Sequence, residues 1–184
     1  LYAFSSENWT RPESEVNALM NLLAHFIKEK TSSLMKNNIR LKVIGQIHRL
    51  PDKTQKLLKK SIEKLDGNDG LTLIVALSYG SREEIVDAAR SLMDKAVAGE
   101  MDSADLNNEI FAEHLYTAGI PDPDLLVRTS GEFRISNFLL WQISYSEIHI
   151  TDVLWPDFRS EHLNAAIEDY QKRQRRFGGL SEDV

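Results

Sequence analysis

Cysteine is absent from the 184 residues. That excludes disulfides, thiolate catalysis and Cys-ligated zinc or iron–sulfur centres. A basic excess is also missing: 22 Lys and Arg stand against 28 Asp and Glu, for a net charge of −6. No global field exists to hold a nucleic acid, so none is expected as a partner. No apolar run approaches the roughly eighteen residues that span a bilayer. No signal-peptide pattern is visible, and the expected location is cytoplasmic. Walker P-loop, G-x-G-x-x-G, G-x-S-x-G and H-E-x-x-H patterns are all lacking.

Apolar residues, at 42%, suffice for a sizeable core. A chain of this length buries roughly 70% of its unfolded surface, and one domain over 1–184 is expected. Charged residues at 27% argue against global disorder. The chain opens Leu1-Tyr2-Ala3-Phe4, which reads as the middle of a buried strand. The expectation is that these residues are the remainder of a longer chain.

Along the chain, Leu1–Phe4 reads as a strand. Val16, Leu19, Met20, Leu23, Phe26 and Ile27 recur at helical spacing, predicting an amphipathic helix from Glu13 to about Lys36. Ile39–Ile44 reads as a strand ended by Gly45. A second helix starts at Pro51-Asp52, with Leu57, Leu58, Ile62 and Leu65 on one face. Gly67-Asn68-Asp69-Gly70 is a turn. Leu71–Leu77 is a near-continuous apolar strand, as expected when both faces are covered. Ser81-Arg82-Glu83-Glu84 fits a capping box opening a helix to about Val97. Helices are predicted over Ser103–Thr117, Ser136–Ile143 and Glu161–Arg176, and strands at Leu125–Val127 and Glu147–Thr151. This alternation predicts an α/β fold with a mostly parallel central sheet covered by helices.

Ligands of open α/β sheets bind beyond the C-terminal strand ends. That rule directs attention to Ser5–Arg11, Gly45, Ser78–Ser81 and Arg128–Ser136, two of which belong to polar loops. The first is Ser5-Ser6-Glu7-Asn8-Trp9-Thr10-Arg11-Pro12, where hydroxyls and a guanidinium precede a helix N-terminus that favours anions. A hydroxyl-rich loop with Asn8 or Thr10 as a cap is the plainer reading, though caps need neither Trp9 nor Arg11. The second is Arg128-Thr129-Ser130-Gly131-Glu132-Phe133-Arg134-Ile135-Ser136-Asn137. Arginine forks match phosphate geometry, and main-chain N–H groups at Ile135 and Ser136 add donors if a helix starts there. An ordinary turn with solvated arginines is the alternative. Glu147 and His149 lie on one strand face. Glu147 suits a Mg²⁺ shared with a diphosphate, or else a solvent-facing pair. The basic end, Arg173-Gln174-Arg175-Arg176-Phe177-Gly178-Gly179, is either a helix C-cap or an arm for an anion. The residues alone thus indicate an anion site, for phosphate or diphosphate.

These loops resemble the cis-prenyltransferase family, in its bacterial members that form undecaprenyl diphosphate. The matching residues are Tyr2–Trp9 with Arg11-Pro12, Arg128–Glu132, Arg134–Gln142, Tyr145–Glu147, Asp152–Phe158 and Arg175–Gly179, in order along essentially the whole chain. The resemblance implies condensation of isopentenyl diphosphate onto farnesyl diphosphate with Z geometry. It also implies Mg²⁺, a cytoplasmic homodimer, a place in making the lipid carrier of cell-wall synthesis, and peripheral membrane contact through the lipid product. By that resemblance Arg128, Arg134, Ile135 and Ser136 hold isopentenyl diphosphate. Ser5, Ser6, Glu7, Trp9 and Arg11 line the substrate region, Asn8 is the catalytic candidate, and Glu147 is the metal-associated carboxylate. The Arg-Phe-Gly-Gly end corresponds to a segment completing a neighbouring subunit's site. Two departures accompany it. The family's Asp-Gly-Asn-Gly-Arg-Trp motif does not occur in these residues, so a first strand and helix are expected to be missing and the chain alone inactive. Position 133 is Phe, which cannot ligate a metal as a histidine there does in some relatives. A non-catalytic accessory subunit and an unrelated phosphometabolite enzyme are the competing readings.

Overall fold

Val16, Met20, Leu23 and Ile27 form the inner stripe of helix α1 (Glu13–Lys36), packing with Phe4, Leu50, Leu58 and Leu77 in the main apolar cluster. Glu13 and Glu15 in its first turn and Lys36 in its last suit the helix dipole. Phe26, expected on this stripe, is instead 48% exposed. The structure, a computed structural model, describes residues 1–174. Arg175, Arg176, Phe177, Gly178 and Gly179 lie outside the described residues.

The chain forms two compact units, Leu1–Gly119 and Ile120 onward. In the first unit, β1 (Tyr2–Ser5), β2 (Arg40–Ile44) and β3 (Thr72–Tyr79) make a parallel sheet in the order β1-β3-β2. Ile44 pairs with Ala76, and Ser5 with Tyr79. The three strands therefore end at one edge, from which the loop after β1 and the loop after β2 emerge. Helix α1 connects β1 to β2, and α2 (Asp52–Leu65) connects β2 to β3. Parallel strands require such crossovers. Between α1 and α2, Thr31 and Ser61 are buried, and their hydroxyls meet at 3.0 Å. This bond lets polar groups sit in the helix contact without loss. The predicted turn at Gly67–Gly70 is tied to the start of β2, because Asn68 donates to Ile39 O at 2.7 Å.

Helix α3 (Ser81–Val97) begins where expected but not through a capping box. Gly80 is the N-cap residue, and Ser81 and Glu84 are both fully buried. The Glu84 carboxylate accepts from Tyr79 Oη at 2.5 Å and from the Tyr116 N–H at 2.9 Å. A nonlocal network has taken the group that local pattern assigned to the helix end. Ser103–Thr117 is not one helix. Asp102 accepts from Ala104 N and Asn107 from Ile110 N, each at 2.9 Å. These side-chain bonds compete with helical ones and divide the segment into a 3-10 turn at Ser103–Asp105 and a short α4 (Asn108–Ala112).

In the second unit, β4 (Leu125–Arg128) and β5 (Glu147–Ile150) pair in parallel, with Leu125 opposite Glu147 and Arg128 opposite Ile150. Helix α5 spans Ser160–Gln171, shorter than the predicted Glu161–Arg176, and buries Ala166. The predicted helix at Ser136–Ile143 is a run of turns. Ser136, Asn137 and Leu139 have φ of 51°, 58° and 51°, in a left-handed region incompatible with a right-handed helix. Among the described residues, no helix is long and apolar enough to cross a membrane.

Candidate functional site

Ser5 ends β1, and Ser6–Thr10 make a 3-10 turn leading into α1. Asn8 closes this turn: its Oδ1 accepts from the Ser5 N–H at 3.0 Å. Thr10 donates to Glu7 O at 2.8 Å, and Ser6 to the Glu7 carboxylate at 3.3 Å. Arg11 forms an exposed pair with Glu15 at 2.7 Å. Trp9 is held by three neighbours. Its indole N–H donates to Ser78 Oγ at 2.8 Å. Phe4 meets it edge-on at 5.0 Å, and the Arg49 guanidinium lies 5.3 Å from its ring centroid. Tyr2 donates to Tyr79 O at 3.0 Å. Burial, with the Glu7 and Glu83 carboxylates adding to it, pushes the Tyr2 phenol up to about 12.

Below this edge, Asp87 accepts from Tyr116 Oη, from Gln46 Nε2 at 3.1 Å and from Arg90 at 2.6 Å. Burial alone would raise its carboxyl, but the three donors outweigh burial and hold it below its usual 3.8. Burial and the adjacent carboxylate raise the Tyr116 phenol in turn. Sequence reading reached Ser78 only as part of the Ser78–Ser81 strand end, and it missed Gln46, Arg49 and this network. The visible signal was small: Ser78-Tyr79 interrupts the apolar run of β3 just before Gly80.

In the second unit, Arg128 is the last residue of β4 and enters the Thr129–Asn137 loop directly. Its Nε is buried with no hydrogen-bond partner. Buried guanidinium donors carry a large desolvation cost unless satisfied, so this group is suited to an anion. Ser130 N donates to Val153 O at 3.0 Å and Gly131 N to Thr151 O at 2.9 Å, which anchors the turn. Gly131 has φ of +65°, and a Cβ there would fall 2.8 Å from the Asp152 carboxylate. Arg134 is exposed and paired with Glu132. Ile135 and Ser136 lie in the same loop, but no helix starts there to align their N–H groups. Phe133 is 86% exposed.

Glu147 is not at this end. Its register opposite Leu125 puts it three residues before the level of Arg128, roughly 10 Å along the strand. Glu147 and His149 share a face, and both meet α5 and the residues just after it. Arg173 donates to Glu147 at 2.9 Å and to Asp169 at 2.6 Å, while His149 Nδ1 lies 2.8 Å from Asp169. Those hydrogen bonds, from His149 first and Arg173 second, hold the Asp169 carboxyl below its usual value. Mg²⁺ requires several oxygen ligands. Here an arginine occupies the Glu147 carboxylate, and no three His, Asp or Glu side chains converge among the described residues. The residues present do not fit a preformed Mg²⁺ site.

The family described as "Putative undecaprenyl diphosphate synthase" matches residues 1–178. The isoprenyl transferase of Porphyromonas gingivalis is 52% identical over 183 residues, covering 100% of this chain and 72% of that protein. The crystal structure of lavandulyl diphosphate synthase from Lavandula x intermedia, in complex with dimethylallyl diphosphate, matches with a TM-score of 0.94 at 36% identity. It covers 97% of this chain and 77% of that one. The structure of "a probable undecaprenyl diphosphate synthase" from Campylobacter jejuni matches at 0.86 and 36% identity, over 97% and 82% of the two chains. With a family match over nearly every residue and half of all positions identical to an isoprenyl transferase, the chain belongs to the cis-prenyltransferase family of enzymes.

Proposed function

We propose that the protein elongates a Z-prenyl chain, condensing isopentenyl diphosphate onto farnesyl diphosphate to give undecaprenyl diphosphate. The observation that carries this reading is the buried, unpartnered Nε of Arg128 at the end of β4. A diphosphate oxygen would satisfy it through a charge-assisted bond. Arg134 and Ser136 add a second cation and a hydroxyl to that loop, with Ile135 between them. In the first unit, Ser5, Ser6, Glu7, Trp9 and Arg11 are assigned to lining the substrate region.

In the reaction, the alkene of isopentenyl diphosphate attacks C1 of the allylic diphosphate. The C1–O bond breaks, diphosphate leaves, and a proton is lost from the new chain. Arg128 and Arg134 grip the diphosphate of isopentenyl diphosphate, which is not the leaving group, and so hold its alkene oriented toward C1. Asn8 is assigned a positioning role, because an amide is a weak base and its carbonyl already accepts from Ser5. Mg²⁺ belongs to the proposal as the family's cofactor, which would neutralise diphosphate charge, although the described residues hold no preformed site for it. A cytoplasmic homodimer serving the cell-wall lipid carrier completes the proposal.

The test is turnover of labelled isopentenyl diphosphate with farnesyl diphosphate by the full-length enzyme, with and without Arg128→Met. One charge-assisted hydrogen bond is worth about 1.5–3 kcal/mol, so KM for isopentenyl diphosphate should rise by ten-fold or more, on the order expected from that range. Absence of a Z-polyprenyl product, or an unmoved KM, overturns the reading.

A further inference from the structure

We propose that Ser78 is a positioning residue: its buried hydroxyl fixes the Trp9 indole, and with it the Ser6–Thr10 turn, in a productive orientation. Ser78 is the penultimate residue of β3, fully buried, with φ of +49°. A left-handed backbone is costly for any residue with a Cβ, and glycine would adopt it freely. Strain of this kind persists where surrounding structure over-determines it, and it concentrates at functional sites.

Both polar ends of Ser78 are committed to other loops. Its carbonyl accepts from the Gln46 N–H at 3.1 Å, in the loop after β2. Its Oγ accepts from Trp9 Nε1 at 2.8 Å, in the loop after β1. One residue thus joins all three strand ends at this edge of the sheet. An indole N–H is a donor only and has a single hydrogen. Phe4 at a steep angle to the ring, Arg49 near its centroid and the main apolar cluster limit its tilt, while Ser78 accepts its single N–H and so fixes which way that edge turns. The inference rests on the reading that the Ser5–Arg11 loop lines the substrate region.

The experiment is a double-mutant cycle in the full-length enzyme, using Ser78→Ala, Trp9→Phe and the pair. Steady-state kinetics are measured with isopentenyl and farnesyl diphosphates, alongside thermal unfolding and the indole N–H resonance that disappears in Trp9→Phe. Ser78→Gly serves as the second variant should Ser78→Ala fail to fold, since it relieves the backbone. The expected result is a loss of about ten-fold in kcat/KM for Ser78→Ala, the scale of leaving one buried donor unpaired. A shift of the Trp9 indole resonance accompanies it, and Ser78→Ala causes no further loss on a Trp9→Phe background. Additive losses, or a lowered unfolding temperature with kcat/KM unchanged, overturn the positioning role. An unchanged kcat/KM in Trp9→Phe, with the indole resonance still moved by Ser78→Ala, overturns instead the substrate-region reading on which it rests.

Discussion

Gly45→Ala should destabilise the first unit severely, for reasons confined to a few atoms. Gly45 follows the last paired residue of β2, at φ of +110°. A backbone held there costs an L-residue of order 1–3 kcal/mol. A Cβ at this position would fall 2.2 Å from Leu77 O and 3.1 Å from Tyr79 Cβ, against a practical floor of 3.0 Å. The obstacle at 2.2 Å is main chain of the central strand, which has no rotamer to change. Relief requires β2 and β3 to part, and overpacking of this sort adds roughly 1–3 kcal/mol. The expected loss is about 2–6 kcal/mol by the sum of these two effects. That corresponds to roughly 2–4 °C per kcal/mol in a protein of this size class. Gly67→Ala is the internal control, since a Cβ there meets nothing within 4 Å. It should be neutral, or stabilising by about 0.4–1 kcal/mol through the unfolded chain. Urea unfolding of the full-length protein followed by far-ultraviolet circular dichroism distinguishes the two. A Gly45→Ala midpoint close to that of Gly67→Ala would refute the reasoning. Gly45→Ala should also impair catalysis beyond its stability cost, because Gln46 N donates to Ser78 O from the adjacent position.

Two further outcomes follow from the network behind this edge. The folded Asp87 carboxyl sits below its usual 3.8, so its contribution to stability is present above that value and is lost as pH falls through the folded pKa. Asp87→Asn should therefore flatten the fall in stability between neutral pH and acid below 3.8, and equal acid slopes in the two proteins would show that the group does not act this way. Tyr79→Phe removes a 2.5 Å donor from the fully buried Glu84 carboxylate. It should cost about 1.5–3 kcal/mol in urea unfolding, and a loss within the roughly 0.5 kcal/mol typical of surface changes would contradict the network.

Much of the chain's organisation was legible before any coordinates. The 3.6-residue recurrence from Val16 to Ile27 and the apolar run before Ser78 report which side of each element meets the core, and both depend only on near neighbours in sequence. The same holds for the two polar loops, because parallel strands place chemistry beyond their C-terminal ends. Where the reading failed, a nonlocal or side-chain bond had displaced the regular local one. Asp102 and Asn107 captured N–H groups that a helix over Ser103–Thr117 would have used. Left-handed backbone at Ser136, Asn137 and Leu139 leaves no periodic trace in a segment that otherwise reads as amphipathic.

The site was divided in the same way. Sequence by itself determined the family, the fold class and the residue types available to meet a diphosphate. It did so because those follow from order and spacing along one chain. Tertiary structure alone decided that Glu84 is buried between Tyr79 and the Tyr116 amide, that Arg173 takes the Glu147 carboxylate, and that Ser78 holds Trp9. Each of these joins groups whose meeting depends on strand register and on how a helix lies against its sheet, and the energy of a contact resides in both partners at once.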